Sequence, residues 1–220
     1  MDMASLQHDD TIAVLDLGDG ENRFAPDWMV EVAELLEEAI ASDSTVLVTT
    51  ASSKIWSNGL DLEWVQANPT EFQPYVSRAQ RVMARFLEAP MPTVAAIGGH
   101  AFAAGAMLSL CHDQRVMRSD RGFWCLPEVD LNLPFTPGMN ALITARLTPQ
   151  TANIAMTLGH RFGGEAALAA GIVDEVGRDD EVLPKAIARA RTMTGRNPEA
   201  IGRIKSRLYA PVLEALRQDD

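Results

Sequence analysis

Hydrophobic positions along the chain fall into two rhythms. Ile12–Leu17, Thr45–Thr50 and Thr93–Ile97 are short apolar runs bounded by turn residues and predict strands; Arg115–Ser119 reads as another, and Phe123–Leu126 as a further apolar segment. Helical spacing appears between them. Val32, Leu35, Leu36, Ala39 and Ile40 recur on one face behind a candidate N-cap, Asp27, while Glu31, Glu34, Glu37 and Glu38 take the other positions. Pro74–Ala89 repeats the pattern with Val76, Ala79, Val82, Met83, Phe86 and Leu87, and Pro90 and Pro92 end it. Further helices are predicted over Ala104–Cys111, Met139–Leu147, Thr151–Leu158, Glu165–Ala170 (stopped by Gly171), Leu183–Thr194 and Glu199–Gln218, with a short strand at Ile172–Val176. Strand, helix and strand in succession predict an α/β chain built from crossover units. No internal repeat or composition shift marks a boundary.

Composition narrows the classes of partner. A chain of 220 residues that is 47% hydrophobic has enough material for a sizeable core. Its net charge of −11 disfavours nucleic acid or an anionic membrane as partner, so a phosphate-bearing ligand must be met by local amides or a few local cations. The two cysteines, Cys111 and Cys125, have apolar neighbours and no metal-type spacing, which reads as reduced thiols in a cytoplasmic protein. The polar first ten residues lack the pattern of a signal peptide, and no apolar run is of membrane-spanning length. His8, His100, His112 and His160 show no metal spacing.

Three stretches carry candidate chemistry. Gly98-Gly-His-Ala-Phe-Ala-Ala-Gly105 joins a strand to a helix whose first turn holds only small residues, so a ligand oxygen can approach its free amides; tight helix packing would require the same residues. Ser57-Asn-Gly-Leu-Asp-Leu62 repeats that geometry after an earlier strand, with Asn58-Gly59 as the turn, although an ordinary surface turn has the same signature. Glu128 follows Phe123, Trp124, Cys125, Leu126 and Pro127, neighbours that would desolvate its carboxylate and raise its pKa towards that of a useful base; taken alone, it reads first as a surface loop acid. Asp130 would face the opposite way in an extended segment. Lys205 and Arg207 read as solvated side chains.

In combination these stretches, with Arg161-Phe-Gly-Gly-Glu-Ala166 and Gly171-Ile-Val-Asp174, resemble the enoyl-CoA hydratase/isomerase (crotonase) superfamily from about Ile12 to Val176. The resemblance implies a crotonase-like spiral of ββα units giving two roughly perpendicular sheets over residues 1–180, and a short C-terminal helical region over 181–220. It implies that the backbone amides of Leu60 and Ala104 grip the thioester oxygen of an acyl-CoA, with Glu128 as acid/base. It places Lys54, Ser57, Asn58 and Gly59 near the CoA portion. Hydratases of the family carry a second glutamate where this chain has Met107, so the pattern is similar to the single-glutamate Δ3,Δ2-enoyl-CoA isomerases. No metal and no separate cofactor are implied, since CoA is part of the substrate, and a homotrimer or dimer of trimers is the implied assembly. Another enolate reaction, such as hydration or hydrolysis, and a non-catalytic acyl-CoA-binding protein are the alternatives.

Overall fold

The computed structural model describes residues 3–218. Its chain repeats one step: a strand entering a large sheet, a short strand entering a small one, then helix. The large sheet holds β1 (Ser5–Asp9), β2 (Ile12–Asp16), β3 (Val46–Thr50), β5 (Thr93–Ile97), β7 (Gln114–Arg118) and β9 (Glu175–Gly177), side by side in that order. The small sheet holds β4 (Ile55–Ser57), β6 (His100–Phe102) and β8 (Trp124–Cys125). Apart from the antiparallel β1–β2 pair, every strand pairing is parallel. Parallel strands need crossovers. Those crossovers are α1 (Pro26–Ala41), α2 (Leu62–Ala67) with α3 (Phe72–Glu88), α4 (Ala104–Leu110), and α5 to α7 (Pro137–Arg146, Pro149–Leu158 and Gly164–Ala169).

Both faces of the large sheet are covered, which explains why β3 and β5 read as unbroken apolar runs. Leu47, Ala95, Ile97 and Met117 point into the main core with Phe24, Trp56, Tyr75, Phe86 and Trp124. The alternate residues Val46, Val48, Val94, Ala96 and Val116 meet Val182, Ala186 and Ala190 of α8 (Val182–Arg191) on the other face.

Four sequence expectations change. Asp27 lies in the first turn of α1 instead of capping it; the N-cap is Ala25, and Pro26 opens the helix. The strand expected at Ile172–Val176 begins only at Glu175, because Ile172 and Val173 are buried in the main core while the Asp174 amide donates to Arg115 O. The helix expected over Glu199–Gln218 is two, α9 (Pro198–Leu208) and α10 (Ala210–Arg217), broken at Tyr209 where Pro211 lacks an amide donor. The break lets Val212, Leu213 and Leu216 turn inward as α10 packs on α3 and α5. Strands β1 and β6 had no legible pattern: β1 is an edge with mostly exposed polar residues, and β6 has three residues between turns.

Lys205 is the fourth. It is 5% exposed, donates to Met91 O at 2.9 Å and meets Asp113 at 2.7 Å, while Asp113 also accepts from the Thr93 amide and hydroxyl. The pair joins the C-terminal helices to the start of β5. Among the described residues no helix is long and apolar enough to cross a membrane. Lys205→Ala leaves Asp113 without its cation, so unfolding by urea should show a loss of about 3 kcal/mol, the lower end for breaking a buried pair because Asp113 keeps some solvent. Arg207→Ala, exposed one helical step away, should stay within about 0.5 kcal/mol.

Candidate active site

The site begins with the turn after β4, where three of four consecutive amides are already engaged. The Asn58 amide donates to Glu21 O at 2.9 Å, that of Gly59 to Ser57 Oγ at 3.3 Å, and that of Asp61 to Tyr75 Oη at 2.7 Å. Leu60, between them, has no acceptor for its amide among the described residues. The turn is also held from outside, by the Phe24 amide on Gly59 O and by Ser57 Oγ donating to Asn22 O. Gly59 sits at φ +81°, a conformation that glycine alone adopts without strain.

The second turn lies against the first. A Cβ placed on Gly59 would come within 2.9 Å of the Ala104 amide nitrogen, the Ala103 Cβ and Phe102 O. The two backbones are therefore in direct contact. Ala103 takes φ +50°, ψ −126°, a strained conformation for alanine that swings the chain from β6 into α4. Its amide donates to Cys125 O, whereas the Ala104 amide has no acceptor among the described residues. Further along α4, a Cβ on Gly105 would fall 2.4 Å from Ser57 O. Small residues here are thus a packing requirement and an access requirement together.

Glu128 lies on a single 3-10 turn, Pro127–Val129, three residues beyond the Cys125 carbonyl that holds Ala103. It is 7% exposed, and its Oε2 is buried without a partner among the described residues. Burial pushes its pKa up to about 7, partly offset by a hydrogen bond from its own backbone. Such a carboxyl is close to half-ionised at neutral pH, which suits a group that both takes and returns a proton. Asp130 is exposed and set against Gly159, unlike the buried Glu128. Met107, one turn into α4, is buried.

The other candidates divide. The Ser57 hydroxyl is spent inside the protein on Asn22 and Gly59, so it shapes the turn. Asn58 faces Glu21 near the surface. Lys54 is exposed at the start of β4, its carbonyl accepting the His100 amide at 3.0 Å. A separate polar cavity, lined by Asp16, Thr50, Ser52, Gly98, Asp179 and Leu183, opens beyond the ends of β2, β3 and β5, and none of Leu60, Ala104 and Glu128 lines it. Two supporting residues were not legible. Asn22, buried and left-handed at φ +49°, donates to Gly18 O, Ile55 O and Trp56 O, and Tyr75 falls inside the predicted helix Pro74–Ala89 but outside its apolar stripe. The sole hint at Asn22 is its place after Gly18-Asp-Gly20.

Comparison with known proteins agrees with this arrangement. Residues 7–219 match the family model described as enoyl-CoA hydratase/isomerase. The chain is 39% identical to enoyl-CoA delta isomerase 2, peroxisomal, of Arabidopsis thaliana, over 74% of this chain and 72% of that one. It is 36% identical to enoyl-CoA delta isomerase 3 of the same plant, over 87% and 85%. In three dimensions it superimposes on the crystal structure of the probable enoyl-CoA hydratase EchA3 of Mycobacterium tuberculosis with a TM-score of 0.92, at 30% identity over 99% and 93% of the two chains. Human mitochondrial delta3-delta2-enoyl-CoA isomerase shares the fold, with a TM-score of 0.89 at 22% identity over 98% and 86%. With the family model spanning nearly the whole chain, and the two open turns and buried glutamate in place, this protein belongs to the enoyl-CoA hydratase/isomerase family.

Proposed function

We propose that the protein is a Δ3,Δ2-enoyl-CoA isomerase. The observation that carries this reading is a single buried carboxylate, Glu128, with an unpartnered oxygen, on the strand extension bonded to a turn that leaves its next amide open. The Leu60 and Ala104 amides take the thioester oxygen. Glu128 removes a proton from C2 of a 3-enoyl-CoA; the electron pair moves onto the thioester oxygen, where two fixed donors stabilise the enolate. The protonated Glu128 then delivers the proton to C4 and the double bond closes between C2 and C3, in conjugation with the thioester. No water enters the balance. Met107, which has no group to orient a water, favours isomerisation over hydration.

Lys54 is exposed just ahead of β4 and Asn58 is partly exposed just after it, in keeping with a CoA portion that leaves the site through solvent. Acyl-CoA is the substrate class that family membership implies. We infer a homotrimer or dimer of trimers as the assembly. The cytoplasm is our expected compartment, from two buried free thiols, with the peroxisome as the alternative because two plant relatives are named peroxisomal.

Glu128→Gln keeps the shape and removes the base. Isomerisation of 3-enoyl-CoA, followed by the absorbance of the conjugated product, should fall by about 10²–10⁴-fold while binding of a saturated acyl-CoA persists. Retained turnover would move the base elsewhere, and wild-type binding without turnover would favour a carrier. Efficient conversion of 2-enoyl-CoA to the 3-hydroxy product would make the protein a hydratase.

Because the base acts ionised, kcat/KM should rise with pH through about 7 and then level. Stability should run the opposite way. A carboxyl whose pKa is raised by folding favours the native state below its unfolded value and forfeits that advantage as pH climbs through the folded one. Between about pH 4.5 and 7 the wild type should therefore lose stability, on the order of 3 kcal/mol, relative to Glu128→Gln. Urea titrations of both proteins at pH 5 and pH 8 test this, and parallel curves would refute a desolvated Glu128.

A further inference from the structure

Tyr75 lies on α3, away in sequence from both open turns, and is completely buried. Its hydroxyl accepts the Asp61 amide at 2.7 Å, the residue immediately after Leu60, and its ring stacks on Trp64 with centroids 5.0 Å apart. Trp64 is held in turn: its amide donates to Asp61 Oδ1, which caps α2. Phenol, indole and cap thus form a closed loop around the peptide between Leu60 and Asp61. The Asp61 N–H is coplanar with the Leu60 carbonyl and is separated from the Leu60 N–H by only the two dihedrals of Leu60, so fixing the Asp61 N–H narrows where the Leu60 N–H can point.

We propose that Tyr75 is a positioning residue for the oxyanion hole, its hydroxyl fixing the Asp61 amide so that the Leu60 amide stays aimed at the thioester oxygen. This rests on the reading of Leu60 as an oxyanion donor. Burial pushes the Tyr75 pKa up to about 12, so the group stays a neutral phenol across the working range and its oxygen is a constant acceptor. The phenol proton has no acceptor among the described residues, so the Asp61 amide is its one recorded hydrogen bond. A preorganised donor pays no reorientation at the moment charge develops, whereas a loosened one must be reoriented in every turnover.

Tyr75→Phe keeps the ring, the stacking and the volume and removes only the acceptor. Isomerase kcat should drop about tenfold, the scale of one net hydrogen bond, with KM and the affinity for octanoyl-CoA within about twofold. Acetoacetyl-CoA reads the hole without proton transfer to Glu128, because its acidic C2 proton is lost to buffer: wild type should bind the enolate preferentially, visible by near-ultraviolet absorbance, and Tyr75→Phe should hold about tenfold less enolate at matched pH. Glu128→Gln should keep that enolate while losing turnover, which separates a failure of the base assignment from a failure of the hole. If Tyr75→Phe does not fold, 3-fluorotyrosine at position 75 weakens the acceptor with little change of shape and should shift the same signals in the same direction by a smaller factor. A lowered melting temperature with unchanged kcat and enolate would overturn the proposal and leave Tyr75 a packing residue. Wild type that binds acetoacetyl-CoA without forming enolate would remove the oxyanion hole itself.

Discussion

The structure depends on one close approach of backbone to backbone. Two strand ends of the small sheet, Ser57–Leu60 and Phe102–Gly105, touch at a distance that admits no Cβ at Gly59 or Gly105. Gly99 makes a third such contact, where an added Cβ would fall 2.1 Å from Lys54 O. Three glycines on adjacent turns therefore set the separation of β4, β6 and their following helices. Neither turn supplies an acceptor to the Leu60 or Ala104 amide among the described residues. In the proposed reaction these open amides are the donors that take the thioester oxygen.

Large parts of this were legible. The apolar runs at β3 and β5 and the helix stripes of α1 and α3 emerged from periodicity because each buries a continuous face. Glu128 was legible as a desolvated acid because its five preceding residues are apolar or proline, and three of them, Trp124, Cys125 and Leu126, are fully buried, while Phe123 is exposed and Pro127 partly so. What was hidden has a common cause. The strands of the small sheet are two or three residues long, too short for a period to register, and the ββα repeat is topological, so no sequence repeat reports it. Lys205 was misread because nothing local distinguishes a lysine that reaches Asp113 across the fold from one in solvent. Tyr75 and Asn22 act through partners 14 and 33 to 34 residues away, and their roles exist only once the chain is folded.

Order at the site is imposed from below. The base of α4 is fixed by Arg146, which donates to Leu110 O and His112 O, and by Arg115, which donates to His112 O. His112 itself, fully buried and held neutral by burial that lowers its pKa to about 3, bridges Leu108 O and Thr49 of β3. Ser109 accepts from Trp124 Nε1, joining α4 to the strand that leads to Glu128. Every one of these contacts is on the far side of α4 from Ala104 or at its C-terminal end. Cations near helix carbonyls are electrostatically favourable, so the arginines stabilise the helix where its charge can be satisfied and leave its first amides unspent.

The same division explains where the molecule tolerates cost. An unpartnered carboxylate oxygen at Glu128, two open amides and an alanine at φ +50° are each unfavourable by themselves, and they lie on the three segments that follow β4, β6 and β8 of the small sheet. Elsewhere Arg115, Lys205 and His112 spend their hydrogen bonds internally, although Trp56 Nε1, Gln80 Nε2 and His100 Nδ1 are also buried without a partner among the described residues. In the proposed reaction, a substrate that brings a thioester oxygen to the amides and an acidic C–H to the carboxylate satisfies both open donors and the open acceptor together. Binding therefore completes the hydrogen bonding that folding left unfinished. The ligand that completes it best is the one with charge on that oxygen, the enolate between the two positions of the double bond.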